Sequence, residues 1–191
     1  QPRKDTVEGH PILRPLPSAK CRSVGPFVFF DHMLEHGYAP GSGMSIDQHP
    51  HIGLSTLTYL FEGEIHHRDS LGSDLAIRPG ELNWMTAGSG IVHSEREDPQ
   101  VKGHKRKLFG IQSWVALPKH AEETAPAFEH VGRDGLPFLE DHGISVRVIA
   151  GEIFGARAPV KTASETIYAD VTLEPGRTMP VDATHEERDH E

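Results

Sequence analysis

The apolar positions of this chain fall in short runs, at 52–61, 82–86, 107–117, 144–154 and 165–174, with many β-branched and aromatic residues among them. Before and between the earlier runs stand glycine-marked turns at Pro40-Gly41, Gly63, Gly72, Pro79-Gly80 and Gly88-Ser89-Gly90. Short strands punctuated this closely predict an all-β sandwich or barrel. No long segment holds a helical period. Along the run 52–61, alternation would extend the face of His49 and His51 through Gly53, Ser55, Leu57, Tyr59 and Phe61. Small residues then lie beside the histidines and larger ones further along, leaving room at one end and packing at the other. Ile52, Leu54 and Leu60 make the opposite face apolar as well, so it needs cover from another sheet or a subunit.

Residues 121–142 are rich in Glu, Pro and Gly and read as a connection. The polar tract Thr184-His185-Glu186-Glu187-Arg188-Asp189-His190-Glu191 reads as a solvated end in preference to a metal-binding tract. The length of 191 residues suits one sizeable barrel or two small domains. A formal net charge of -9 argues against nucleic acid as a partner, because a phosphate backbone calls for a basic face. Cys21 is the one cysteine, so no intrachain disulfide forms. No run reaches the length of a membrane span or resembles a signal-peptide core. A cytoplasmic protein with no membrane partner is expected, and the start at Gln1 in place of Met reads as trimmed or incomplete.

Histidine changes the picture. With 14 His in the chain, about one His-x-His pair is expected by chance, so such a pair alone says little. Two runs carry more, His49-Pro50-His51 and His93-Ser94-Glu95, because each sits among glycine-marked turns and strand-like flanks. Residues at i and i+2 of a strand share a face. Two such strands set against each other would aim three imidazoles and a carboxylate at one point, a site for a divalent first-row metal. His67-Arg68-Asp69, His120-Ala121-Glu122 and His185-Glu186-Glu187 repeat the spacing without that punctuation. His66 and His67, being adjacent, point to opposite faces, so at most one approaches the site and a surface role is expected. Trp84 and Met85 read as core. Gly88-Ser89-Gly90 lacks the following helix start and the lysine that a phosphate loop needs.

The stretch 25–96 resembles the N-terminal barrel of the pirin family within the cupin superfamily. The resemblance rests on Gly25-Pro26-Phe27-Val28-Phe29-Phe30-Asp31-His32-Met33, His49-Pro50-His51-Ile52-Gly53 and Tyr59-Leu60-Phe61-Glu62-Gly63. It continues through His67-Arg68-Asp69-Ser70, Asn83-Trp84-Met85-Thr86-Ala87-Gly88 and Gly90-Ile91-Val92-His93-Ser94-Glu95. Gly43, His49, His51 and Gly63 fall in register with the general cupin pattern, but its glutamate position is Thr56. The pirin pattern takes the fourth ligand from the second run. The resemblance thus implies His49, His51, His93 and Glu95 as metal ligands, with Asp31, His32 and His36 either supporting them or forming a hydrogen-bonded turn.

It also implies a cupin-type β-barrel (a double-stranded β-helix, or jelly roll) over 1–120, a connecting segment at 121–142 and a truncated second cupin-like segment at 143–191. The strands of that last segment would expose unpaired edges unless they pair with the first barrel or another subunit. The implied function is a metal-dependent dioxygenase that opens flavonols such as quercetin. Its partners would be the flavonol and dioxygen, Fe(II) the favoured ion with Mn, Co, Ni, Cu or Zn also accepted, and Glu95 a catalytic proton acceptor. Two other readings stand beside it: a non-catalytic metal-binding regulatory protein with a protein partner or a homo-oligomeric state, and an inactive relative with its metal site intact.

Overall fold

The computed structural model describes residues 2–181; the tail from Thr184 lies outside the described residues. Its strands in chain order begin with β1 (Arg3–Val7), β2 (His10–Leu16), β3 (Phe27–Tyr38), β4 (Ser45–His51) and β5 (Leu54–Glu62). Next are β6 (Ile65–Asp69), β7 (Asp74–Ile77), β8 (Leu82–Thr86), β9 (Ile91–Arg96) and, after the single turn α1 (Pro99–Lys102), β10 (Arg106–Ala116). The series closes with β11 (Ala127–Val131), β12 (Phe138–Asp141), β13 (Ile144–Ala150), β14 (Glu152–Ile153), β15 (Ala156–Arg157) and β16 (Tyr168–Leu173).

The all-β expectation holds. A seven-stranded sheet in the order β1-β2-β3-β10-β5-β8-β11 faces a four-stranded sheet in the order β4-β9-β6-β7. The two ladders are distinct, and side chains packed between them close the structure. At one end that packing is apolar: Ile12, Met33, Leu60 and Leu108 of the larger sheet are buried against Ile65 and Ile77 of the smaller, with Met44 alongside.

Two glycines fix this geometry. Gly53, at φ +66, breaks the run 49–61 and sends the chain from β4 in one sheet to β5 in the other. Gly43 lies so close to the buried Glu97–Arg106 pair that a Cβ there would meet Glu97 Oε2 at 1.7 Å. Pro50, between the two histidines, stands on β4, an edge strand, where a missing amide hydrogen is tolerated.

The break at Gly53 overturns one expectation. His49 and His51 do not share a face with Ser55, Leu57, Tyr59 and Phe61, because they belong to a different strand in a different sheet. Leu57 and Tyr59 instead point outward, into a core with Leu82, Trp84, Val115, Val146, Val148 and Ile149. The expected cover for a second apolar face is thus the chain's own C-terminal part.

Residues 121–142, expected as a connection, carry strands: β11 joins the edge of the large sheet on β8, and β12 pairs with β13. The three-stranded sheet β12-β13-β16 does not join the first barrel's ladders. It packs on the large sheet by its face and leaves β12 and β16 as edges, with Phe138, Val171 and Leu173 exposed.

Candidate metal centre

Strands β4 and β9 pair antiparallel with His49 directly opposite His93, after an irregularity between Ile46 and His49. Alternation then places His51 beside His49 and Glu95 beside His93, all facing the interior between the sheets. His51, His93 and Glu95 are buried and His49 is half-buried. One ligand atom from each of the three histidines lies within 4.8 Å of the others. The rings sit 4.4 to 5.0 Å apart between centroids.

Protonation favours lone pairs aimed inward. The His49 Nδ1–H donates to the Asp47 carbonyl at 2.8 Å, which leaves Nε2 as the free acceptor. Burial, reinforced by His93 and His49, lowers the His51 pKa to about 4. Burial, with His49 and His67 adding to it, lowers that of His93 to about 3. Both rings are therefore neutral near pH 7, and their Nε2 atoms stand 3.1 Å apart. Three imidazoles converging in one space between the sheets are a donor set that fits a divalent first-row ion.

Glu95 stands outside that compact group. Its Oε1 accepts from the Thr58 hydroxyl at 3.1 Å and its Oε2 from the Gln112 side-chain amide at 2.7 Å. Both donors come from the facing sheet, and the sequence reading missed both. A signal exists: Thr56 occupies the general glutamate position, and Thr58 follows it on the same face. Simple alternation inverts the face because the turn at Gly53 carries the chain into the other sheet.

The other candidates separate cleanly. His67 is buried, with Nε2 3.0 Å from Asp69 Oδ2, and stacks on Phe128 at 4.4 Å. Its ring lies 5.3 Å from that of His93, so the surface role expected for this pair fails for His67. His66 turns the other way, toward Asp74 and Asp98. A cavity of about 560 Å³ lined by Glu64, His66, Arg78, Asp98 and His130 touches none of the three clustered histidines.

Asp31 binds Arg14 through two 2.6 Å bonds, His36 packs against His10 and Tyr38, and His32 lies against Phe109. The Arg14 guanidinium caps Phe29 at 4.6 Å, Phe29 stacks on Trp114 at 4.2 Å, and Trp114 meets His51 at 5.2 Å. Asp31 thus connects to the centre through an aromatic column, with no direct contact to the three histidines recorded among the described residues. Trp84 and Met85 are fully buried, as expected for core residues.

Comparisons with known proteins bear on the family and the fold. Residues 9–115 match the family model described as Pirin. A pirin-like protein of Caulobacter vibrioides is 49% identical over 189 residues, covering 97% of this chain and 65% of its own length. A crystal structure of quercetin 2,3-dioxygenase from Acinetobacter baumannii superposes with a TM-score of 0.83 at 37% identity, over 89% of this chain and 55% of that one. A second quercetin 2,3-dioxygenase structure from the same organism gives 0.83 at 31% identity, over 92% and 62%. The chain therefore spans less than two thirds of each of these relatives.

Proposed function

The chain belongs to the pirin family of the cupin superfamily, and on that premise we propose that it is a metal-dependent dioxygenase opening flavonols such as quercetin. The observation that carries this reading is the convergence of His49, His51 and His93, with ligand atoms within 4.8 Å of one another, beside a buried carboxylate. Fe(II), with Mn, Co, Ni, Cu or Zn as alternatives, would supply positions for a chelating substrate and dioxygen when bound. His49 would hold the ion through Nε2, with His51, His93 and Glu95 completing the set.

Glu95 also takes the proton of the flavonol hydroxyl on a carboxylate oxygen. Trp114, backed by Phe29, gives the centre an aromatic wall beside His51. The same reading assigns 1–120 to the metal-binding barrel, 121–142 to a connection that lends β11 to the large sheet and β12 to the second ladder, and 143–191 to a second cupin-like segment, for which the pairing of β13 with β16 speaks. Cytoplasmic residence, with neither nucleic acid nor membrane as a partner, completes the proposal. Among the described residues no helix is long and apolar enough to cross a membrane.

The test is anaerobic reconstitution with Fe(II), followed by quercetin and air, with bleaching and oxygen uptake recorded. Turnover no greater than that of a His49→Ala control removes the dioxygenase reading. One observation favours a second, non-catalytic metal-binding regulatory role with a protein partner or a second copy. Both oxygens of Glu95 are already engaged by Thr58 and Gln112, which suits a fixed group better than a mobile base. Partner capture that tracks the metal's oxidation state, without oxygen consumption, would select it.

A further inference from the structure

Glu95 is 3% exposed and carries a donor on each carboxylate oxygen. The two donors are direct neighbours: Thr58 on β5 lies opposite Gln112 on β10 in the register of the large sheet. Cross-strand partners share a face, so the two side chains form one rigid clamp reaching across to the smaller sheet. The Gln112 amide presents its nitrogen to Glu95 and so its oxygen elsewhere. The clamp thereby fixes the rotation of the carboxylate plane about the Glu95 side chain. In the same register Asp31 flanks Gln112 and Asn83 flanks Thr58. Asp31 is locked by Arg14 and Asn83 by His130, at 2.8 Å.

We propose that Gln112 and Thr58 are positioning residues that set the orientation in which Glu95 is offered to an ion held by His49, His51 and His93. The proposal rests on the metal reading above. Partners that orient a ligand in this way typically govern metal affinity by about ten- to a hundredfold. Gln112 has the larger share, since its bond to Glu95 is the shorter of the two, 2.7 Å against 3.1 Å.

The experiment is anaerobic titration of the whole chain with Co(II), whose visible absorption reports both affinity and coordination. Gln112→Leu is expected to weaken Co(II) binding by about tenfold or more and to shift the absorption bands. Thr58→Val weakens binding less, and Thr58→Ser, which keeps the hydroxyl, stays near the parent. In a Glu95→Gln background, Gln112→Leu produces no further loss, because it acts through the carboxylate. Parent-like affinity and spectrum in Gln112→Leu, or a full additional loss in the Glu95→Gln background, overturns the proposal while leaving the metal reading standing. If Gln112→Leu does not fold, equal affinity in Thr58→Val, Thr58→Ser and the parent overturns it instead. Failure of the parent chain to bind Co(II) overturns both.

Discussion

The two faces of strands β5, β8 and β10 carry opposite chemistry. Inward, the register aligns Gln112, Thr58 and Asn83 in one polar row, continued by Asp31 on one side and His130 on the other. Outward and one residue along, Ser113, Leu57 and Trp84 align, and Leu57 and Trp84 enter the core shared with Val146 and Val148. In an ordinary antiparallel sandwich the inner face is apolar and the outer face wet. Here the inner face gives up part of its apolar area to serve Glu95 and the histidines, and the C-terminal strands cover apolar side chains outside. Chemistry and cohesion therefore sit on opposite sides of the same strands, and substitutions on the two sides should have different consequences.

The largest break would come from Leu57→Asp. A charge without a partner in the outer core should cost about 4 kcal/mol or more and abolish cooperative unfolding in urea. A wild-type midpoint for that variant would show that the C-terminal cover is dispensable. On the inner side, His93→Ala should leave the far-ultraviolet dichroism of the sheets intact while weakening divalent-metal binding on the order of a hundredfold or more. Metal analysis after dialysis reads this, and undiminished metal content would remove His93 from the ligand set.

A third test concerns the packed end of the inner face. His10 there is buried, bonded at 2.7 Å to the Tyr38 hydroxyl and set edge-on to His36. Burial, with His36 adding to it, lowers its pKa from 6.5 to about 4. Between those values the unfolded chain takes a proton that the folded chain refuses, so stability falls as pH drops through this window. It is fully present above about 6.5. The share expected from His10 is roughly 3 kcal/mol, beside those of His51 and His93, and His10→Asn, which keeps an acceptor for Tyr38, should make that part of the profile less steep. An unchanged slope in urea melts at successive pH values would exclude His10 as its source. The smallest effect is expected outside: Tyr59→Phe removes the 3.1 Å bond from its hydroxyl to Asp170 and should cost about 1 kcal/mol. Metal binding should not change, and any change would mean that the two faces are coupled.

Much of the centre was legible from spacing. His49 and His51, like His93 and Glu95, share a face because alternation is a property of the strand backbone and needs no partner. The split of His66 from His67 followed from the same rule. That rule failed across Gly53, where a positive φ turns the chain into another sheet and exchanges which residues of 54–62 face inward. Thr58 and Gln112, 54 positions apart, share one carboxylate only because β5 and β10 became neighbours.

By itself, the sequence determined the strand rhythm, the histidine and carboxylate spacing and the family to which the chain belongs. Each of these is encoded within a few consecutive residues or in their identity. Tertiary structure alone decided that Glu95 is held from the opposite sheet, that His67 lies buried beside His93, and that residues 136–160 cover Leu57 and Trp84. Those contacts join segments far apart along the chain. Their formation depends on which sheets pack together, a choice made by the summed burial of many side chains and not by any local pattern.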